Sequence, residues 1–262
     1  MKESWDAEIR RADELALART ETKELLAFYA KLLRVQKEIF EYLRSRKGWL
    51  PAGLLEQDLS VLKAQMPGLL TMVESSGPAQ LADEARRLRQ TGDVEIGEML
   101  LEYWREPSDV QFFAKAFLQP YGRWLAESGA KPAGRNLGTG DSRCPFCANK
   151  PQLSFLQTQE PYAEGGGRAL VCSLCLTVWP FRRVVCANCG EEHPTKLSYF
   201  HSPEYDHVRI EACETCKHYI KGVDLTKLGL AVPLVDEVAA APLDLWARER
   251  GFTKIELNLI GL

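Results

Sequence analysis

The sequence predicts an α+β chain: an N-terminal helical bundle, two tandem four-cysteine metal modules and a C-terminal helix. Three observations lead there. All eight cysteines fall between Cys144 and Cys216 as four C-x-x-C pairs, and none occurs in the first 143 residues. Apolar residues ahead of the cysteines recur at helical spacing, whereas the runs among them are short, strand-like and bounded by turns. A stretch rich in Gly and Pro, residues 129–140, divides the two regimes. The expected domains are a helical domain over 1–138, a first module over 139–183, and a second module with the C-terminal helix over 184–262.

Over residues 21–47, Leu25, Phe28, Leu32, Val35, Ile39 and Tyr42 alternate spacings of three and four, one apolar stripe on one helix face. Basic Arg44, Arg46 and Lys47 before Gly48 suit the end of that helix. A short helix is expected over 54–66, ended by Pro67. Pro78 opens one that reaches Gln90 and is closed by Gly92, and the next spans 93–105. Ser108 caps a segment with Val110, Phe112, Phe113, Ala116 and Phe117 as its apolar set, kinked or divided by Pro120 before Leu125. About six helices packed as a bundle, with their aromatics in the core, account for these stripes.

This half contains no His and no Cys, which removes the commonest general bases, nucleophiles and metal ligands together. The paired acids Asp13 and Glu14, and Asp83 and Glu84, read as solvated surface. Residues 129–140 read as an interdomain linker; no strand precedes them and no Gly-Lys-Ser/Thr ends them, so they do not form a phosphate loop. Beyond the linker, residues 153–158, 169–171, 197–201 and 208–212 are expected strands. Residues 235–250 have helical period, and 255–259 alternate like a last strand.

Composition excludes several classes. With 45% hydrophobic and 26% charged residues among 262, the chain is neither disordered nor a coiled-coil rod. No apolar run approaches the roughly 18–20 residues of a membrane span. The N-terminus mixes both charge signs without an apolar core, so no secretory signal is expected and the cytoplasm is the expected location. The net charge of -3 argues against broad binding to a nucleic-acid backbone. Residues 139–223 are neutral too, with nine Lys plus Arg against nine Asp plus Glu.

In a reducing compartment eight paired cysteines point to metal rather than to disulfides. Twenty-four residues separate Cys147 from Cys172, and 23 separate Cys189 from Cys213. The two halves are offset by 42 residues at their first pairs and 41 at their second, the mark of a duplicated unit. Two Cys three positions apart in a tight turn both aim sulfur at one ion, at about 2.3 Å per sulfur. Sequential pairing gives one site from Cys144, Cys147, Cys172 and Cys175, and another from Cys186, Cys189, Cys213 and Cys216. An interleaved pairing stays open, but it leaves the duplicated spacing unused. Gly190 suits the positive φ such turns need; Ala148 suits it less.

Four protein sulfurs close a tetrahedral site, so its default role is structural. Softness and geometry admit iron as well as zinc, and iron would make the site redox-active. His193, His201, His207 and His218 are not needed as ligands. Trp179, Phe181, Arg182 and Arg183, between the modules, are the candidate partner-binding surface, with plain solvation as the simpler reading.

The run Cys144-Pro-x-Cys147, Cys172-Ser-Leu-Cys175, Trp179, Arg183, Cys186-x-x-Cys189, Tyr199, Cys213-x-x-Cys216 and Tyr219-Ile-Lys221 resembles the FdhE family of formate dehydrogenase accessory proteins. So do Val235-Asp-Glu-Val-Ala, Leu243-Asp-Leu-Trp-Ala and Gly251-Phe. The helical half matches only in length and character. The resemblance implies two rubredoxin-like (zinc-ribbon-like) modules behind a helical domain, with iron in the four-cysteine sites and zinc as the alternative. It implies a non-enzymatic cytoplasmic maturation factor that binds the catalytic subunit of respiratory, Tat-exported formate dehydrogenase. The alternative reading is a nucleic-acid-binding zinc-ribbon protein, which the neutral modules disfavour. A dithiol redox enzyme needs a low-pKa pair at a helix N-terminus in a βαβ setting, and the sequence has neither.

Overall fold

In the computed structural model, which describes residues 4–46, 48–135, 137, 140–157 and 167–261, seven helices precede the sheet. Ser4 opens α1 (Trp5–Ala18) by accepting the Ala7 N–H at 3.2 Å, with Asp6 and Glu8 in the first turn. The stripe read over 21–47 forms α2 (Lys23–Ser45), and Lys47 lies outside the described residues. Then come α3 (Leu55–Lys63), α4 (Met66–Ser76), α5 (Ala79–Gln90), α6 (Asp93–Arg105) and α7 (Phe112–Ser128).

Several expectations change here. Pro67 lies in the first turn of α4, a helix the sequence reading lacked, because its missing N–H costs nothing there. Gly92 caps the start of α6 rather than closing α5. Gln111, not Ser108, precedes α7, and Val110 is 86% exposed. Pro120 neither divides nor ends α7. A proline leaves the carbonyl four residues back without its helical donor, here Ala116. The Gln36 side chain of α2 fills that gap, its Nε2 donating to the Ala116 oxygen at 2.8 Å.

The strands are β1 (Pro151–Gln157), β2 (Gly167–Cys172), β3 (Val178–Phe181), β4 (Leu197–His201), β5 (Val208–Cys213), β6 (His218–Asp224) and β7 (Thr253–Lys254). Thr158, the expected end of the first run, lies outside the described residues. The tandem modules are not separate bodies. Their strands share one sheet in the order β3-β2-β1-β6-β5-β4, joined by parallel pairing of β1 with β6, and β7 also pairs with β6.

The expected single C-terminal helix is two, α8 (Pro233–Ala239) and α9 (Ala241–Glu249), broken at Ala240. Lys221 of β6, fully buried, caps the break: its ammonium donates to the carbonyls of Glu237 at 2.5 Å and Ala240 at 3.4 Å. It also pairs with Asp244, and Lys254 pairs with Glu237, all four side chains sealed from solvent. Residues 255–259 are not a strand, although Ile255 and Leu259 are buried.

One apolar cluster runs without interruption from Leu26, Leu32, Trp104 and Phe117 of the helices to Cys144, Leu170, Cys172 and Ile220 of the sheet. The opposite sheet face, with Phe155, Val171, Ile210 and Tyr219, packs with Leu234 and Leu243 of α8 and α9. Ion pairs stitch the layers: Arg123 to Glu8 at 3.0 Å, and Arg11 to Asp236 at 2.6 Å. The expected linker is pinned where described. Ala133 donates to Gly53 O at 2.8 Å, and its carbonyl accepts the Trp104 indole N–H at 3.0 Å. Gly53 (φ +76°) is required there, because a Cβ would collide with the Lys131 carbonyl. Residues 136, 138 and 139 of the linker lie outside the described residues.

Candidate metal centre

The duplicated spacing is a structural repeat. Each module runs turn, strand, strand, turn, strand: residues 144–147, β1, β2, residues 172–175, β3, then residues 186–189, β4, β5, residues 213–216, β6. In every turn the residue after the second cysteine adopts left-handed backbone: Ala148 at φ 61°, Leu176 at 56°, Gly190 at 77° and Lys217 at 57°. That conformation turns the chain back, so that the next residue's carbonyl accepts the first cysteine's N–H, as Asn149 does from Cys144 at 2.9 Å. In three of the turns the left-handed residue also donates its own N–H to that cysteine's carbonyl. The bonds are Ala148 to Cys144 at 2.9 Å, Gly190 to Cys186 at 3.1 Å and Lys217 to Cys213 at 2.9 Å. Inside the turns, the N–H groups of Leu174 and Asn188 point at the sulfurs of Cys172 and Cys186, each at 3.4 Å.

The structure assembles the sulfurs in the sequential pairing. Cys144, Cys147, Cys172 and Cys175 form one set, and Cys186, Cys189, Cys213 and Cys216 the other, each within 4.8 Å. Across the first set Cys144 lies 3.6 Å from Cys175 and Cys147 lies 3.3 Å from Cys172. Across the second, Cys186–Cys216 and Cys189–Cys213 are both 3.7 Å. A tetrahedron with bonds of about 2.3 Å has edges of about 3.8 Å, so both sets fit a four-coordinate soft cation. None of the four histidines joins either set.

Their electrostatics suit proton release on metal binding. Hydrogen bonds from Cys147, Cys172 and Cys175 hold the Cys144 thiol far below its usual range, whereas burial pushes Cys172 and Cys175 up. In the second set burial pushes Cys186 and Cys189 up. It pushes Cys216 up as well, but bonds from the Asn188 side chain and the His218 backbone outweigh it and bring that thiol to about 7. Each set thus offers a ready thiolate beside thiols that give up their protons when a cation takes them.

The surroundings of the two sets differ. The first lies entirely in the core, with its cysteines 0–3% exposed. Gln119 of α7 donates to the Ser173 carbonyl at 3.0 Å, and Asn149 donates to the Ser173 hydroxyl at 3.3 Å. Arg135, stacked on the Trp104 ring at 4.4 Å and bonded to Asn149, brings a cation within electrostatic reach of Cys147, Cys172 and Cys175. At Gly122 helix α7 approaches so closely that a Cβ would lie 3.2 Å from Leu174 and 3.4 Å from Cys175. The second set keeps only Cys186 and Cys213 buried; Cys216 is half-buried and Cys189 exposed.

Of the expected partner surface, Trp179 is buried, its indole N–H donating to the Asp141 carbonyl at 3.1 Å. Phe181 is half-buried beneath Arg168. Arg182 is exposed and paired with Glu192 at 2.6 Å; Arg183 is exposed too, and its carbonyl accepts the Tyr199 hydroxyl. Trp179, Phe181 and Arg182 line an open groove of about 590 Å³ with Arg143, Cys144 and Pro145, beside the first set. Gln119 and Arg135 were not anticipated from the sequence, because only tertiary packing brings them to the first centre, whereas Ser173 sits inside the 172–175 turn itself. Asn149, two residues after Cys147, carried a positional hint.

The FdhE C-terminal domain family model matches residues 184–260. A "Protein FdhE homolog" of Aquifex aeolicus (strain VF5) is 35% identical over 221 residues, 83% of this chain and 76% of that protein. Homologues with the same description from Shewanella sp. (strain MR-4) and Haemophilus influenzae (strain PittEE) are 29% and 28% identical over 79% and 76% of this chain. The match spans 65% and 66% of those two relatives, slightly less than two thirds of their length. The crystal structure of the FdhE protein from Pseudomonas aeruginosa shares the fold, with a TM-score of 0.70 at 22% identity over 99% of this chain and 97% of that one. Among the described residues no helix is long and apolar enough to cross a membrane. With two repeated four-sulfur sets on this fold, and identity of that level across three quarters of the Aquifex relative, the chain belongs to the FdhE family.

Proposed function

We propose that this protein is a cytoplasmic accessory factor that binds the catalytic subunit of formate dehydrogenase during its maturation, with one iron ion in each four-cysteine site. The observation that carries the reading is the pair of closed four-sulfur sets in a chain of this family. A tetrahedron completed by protein has no open position for a substrate, which supports recognition rather than turnover. Zinc fits the same donors, so the metal is decided by composition, not by shape. The groove beside the first set, edged by Phe181 and Arg182, is where we place the partner, with Trp179 supporting it from beneath and Arg183 beside it.

Anaerobic capture of the catalytic subunit, compared with metal content and an absorption spectrum, tests this. Replacing Arg182 and Arg183 together by Glu reverses charge at the groove and leaves all eight thiolates in place, so capture should weaken while metal stays bound. Unchanged capture would clear the groove of the role. No capture by wild-type protein carrying its metal would sink the accessory reading.

A further inference from the structure

Resting on the metal-binding reading above, we propose that the second four-cysteine centre is an exchangeable metal site, loading and releasing a soft divalent cation, while the first keeps its ion. Exchange at a closed tetrahedron needs an incoming ligand to reach the ion as an old sulfur bond lengthens. The exposure of the sulfurs therefore sets the rate.

The first centre is covered far more closely, although Cys144 edges the open groove and Cys175 a second cavity. Its four cysteines are 0–3% exposed and belong to the same buried cluster as Phe117 and Trp104. Helix α7 presses on the 172–175 turn at Gly122, Gln119 and Asn149 both hold Ser173, and Trp179 is tied to Asp141. Freeing any of these sulfurs requires opening the core that the helices share with the sheet, a motion near the costly end of local unfolding.

The second centre has no such cover. Cys189 is exposed, Cys216 half-buried, and open space lies where a Cβ would stand on Gly190. Its two turns sit against β4, the outer strand of the sheet, and meet each other through an exposed bond from Thr215 to Glu191 at 2.6 Å. Cys189 is the exposed member of the set, whereas Cys186 and Cys213 behind it stay buried. In the exchange step a bond from the incoming ligand to the cation forms as the cation–Cys189 bond breaks, and the freed thiolate takes a proton from water. No electron moves. Glu191, bonded to Thr215, sets a carboxylate beside the site, whereas Glu192 and Glu214 are paired with Arg182 and Lys217.

The test uses the full chain loaded with zinc, one ion per set, and an excess of the coloured chelator 4-(2-pyridylazo)resorcinol. One equivalent should leave at least about tenfold faster than the other, as expected when local and core openings differ in cost. Quenching with N-ethylmaleimide at the end of the fast phase, followed by peptide mass mapping, should find label on Cys186, Cys189, Cys213 and Cys216. Release of both ions at one rate, or label on Cys144, Cys147, Cys172 and Cys175, would overturn the proposal. Because the experiment uses unaltered protein, misfolding of a variant does not enter. A chain that takes up no zinc would instead defeat the metal reading beneath it.

Discussion

At each of the four turns one residue carries a left-handed backbone, and only Gly190 is the type that adopts it without strain. Ala148, Leu176 and Lys217 bear a cost of about 1–2 kcal/mol each, of which glycine's greater freedom in the unfolded chain would return part. Ala148→Gly should therefore raise the unfolding free energy of zinc-loaded protein by roughly 0.5–1 kcal/mol, and Gly190→Ala should lower it by a similar amount. A Cβ on Gly190 meets nothing within 4 Å, so that loss is purely conformational. Denaturant titration of both variants checks the pair, and two changes of the same sign would refute the backbone argument. The eight sulfurs could be read from sequence because the chemistry that aims two cysteines at one ion lies within a single turn. Arg135 and Gln119 reach the first centre, by charge and through the Ser173 carbonyl, across chain separations that no local spacing records.

At two places helical hydrogen bonding is interrupted, and at each a buried side chain from another element supplies a missing donor. Gln36 answers Pro120 within α7; Lys221 answers the gap between α8 and α9. Lys221→Met should cost about 3–5 kcal/mol, because Asp244 and Glu237 are left facing one buried ammonium, that of Lys254, instead of two. Adding Asp244→Asn should recover part of the loss. A single variant within about 0.5 kcal/mol of wild type in chemical denaturation would show the cluster to be replaceable packing. Helices α2, α5 and α6 were legible to within two residues because long amphipathic stripes dominate local choice. The face that α1 buries has only Trp5 and Leu15 as large apolar residues, with Glu8, Ala12 and Ala16 between and beside them, too thin a stripe to read. Strand β3 contains Pro180, tolerated only because the strand is an edge. In β6, buried Lys221 interrupts the alternation that would have announced it.

On the scale of the molecule, the helices and one face of the sheet share one apolar core. Loss of a sulfur should therefore be felt differently at the two centres. Cys172→Ser should raise amide hydrogen exchange in α7 and the helices packed on it, whereas Cys186→Ser should confine the change to residues 184–217. Equal protection of α7 in both variants would mean that the helices stand without the first centre. The pairing of β1 with β6 sets the order of assembly as well. Leu153 finds its neighbour Lys221 only 68 residues later, so a chain leaving the ribosome holds that flank of β1 bare until β6 has been synthesised. The first cysteine unit has all its ligands by then, yet an uncovered strand edge remains open to a wrong partner until the second unit arrives. Correct manufacture of this protein is thus a race between translation and misassociation, and slowing elongation after residue 183 lengthens the hazardous interval.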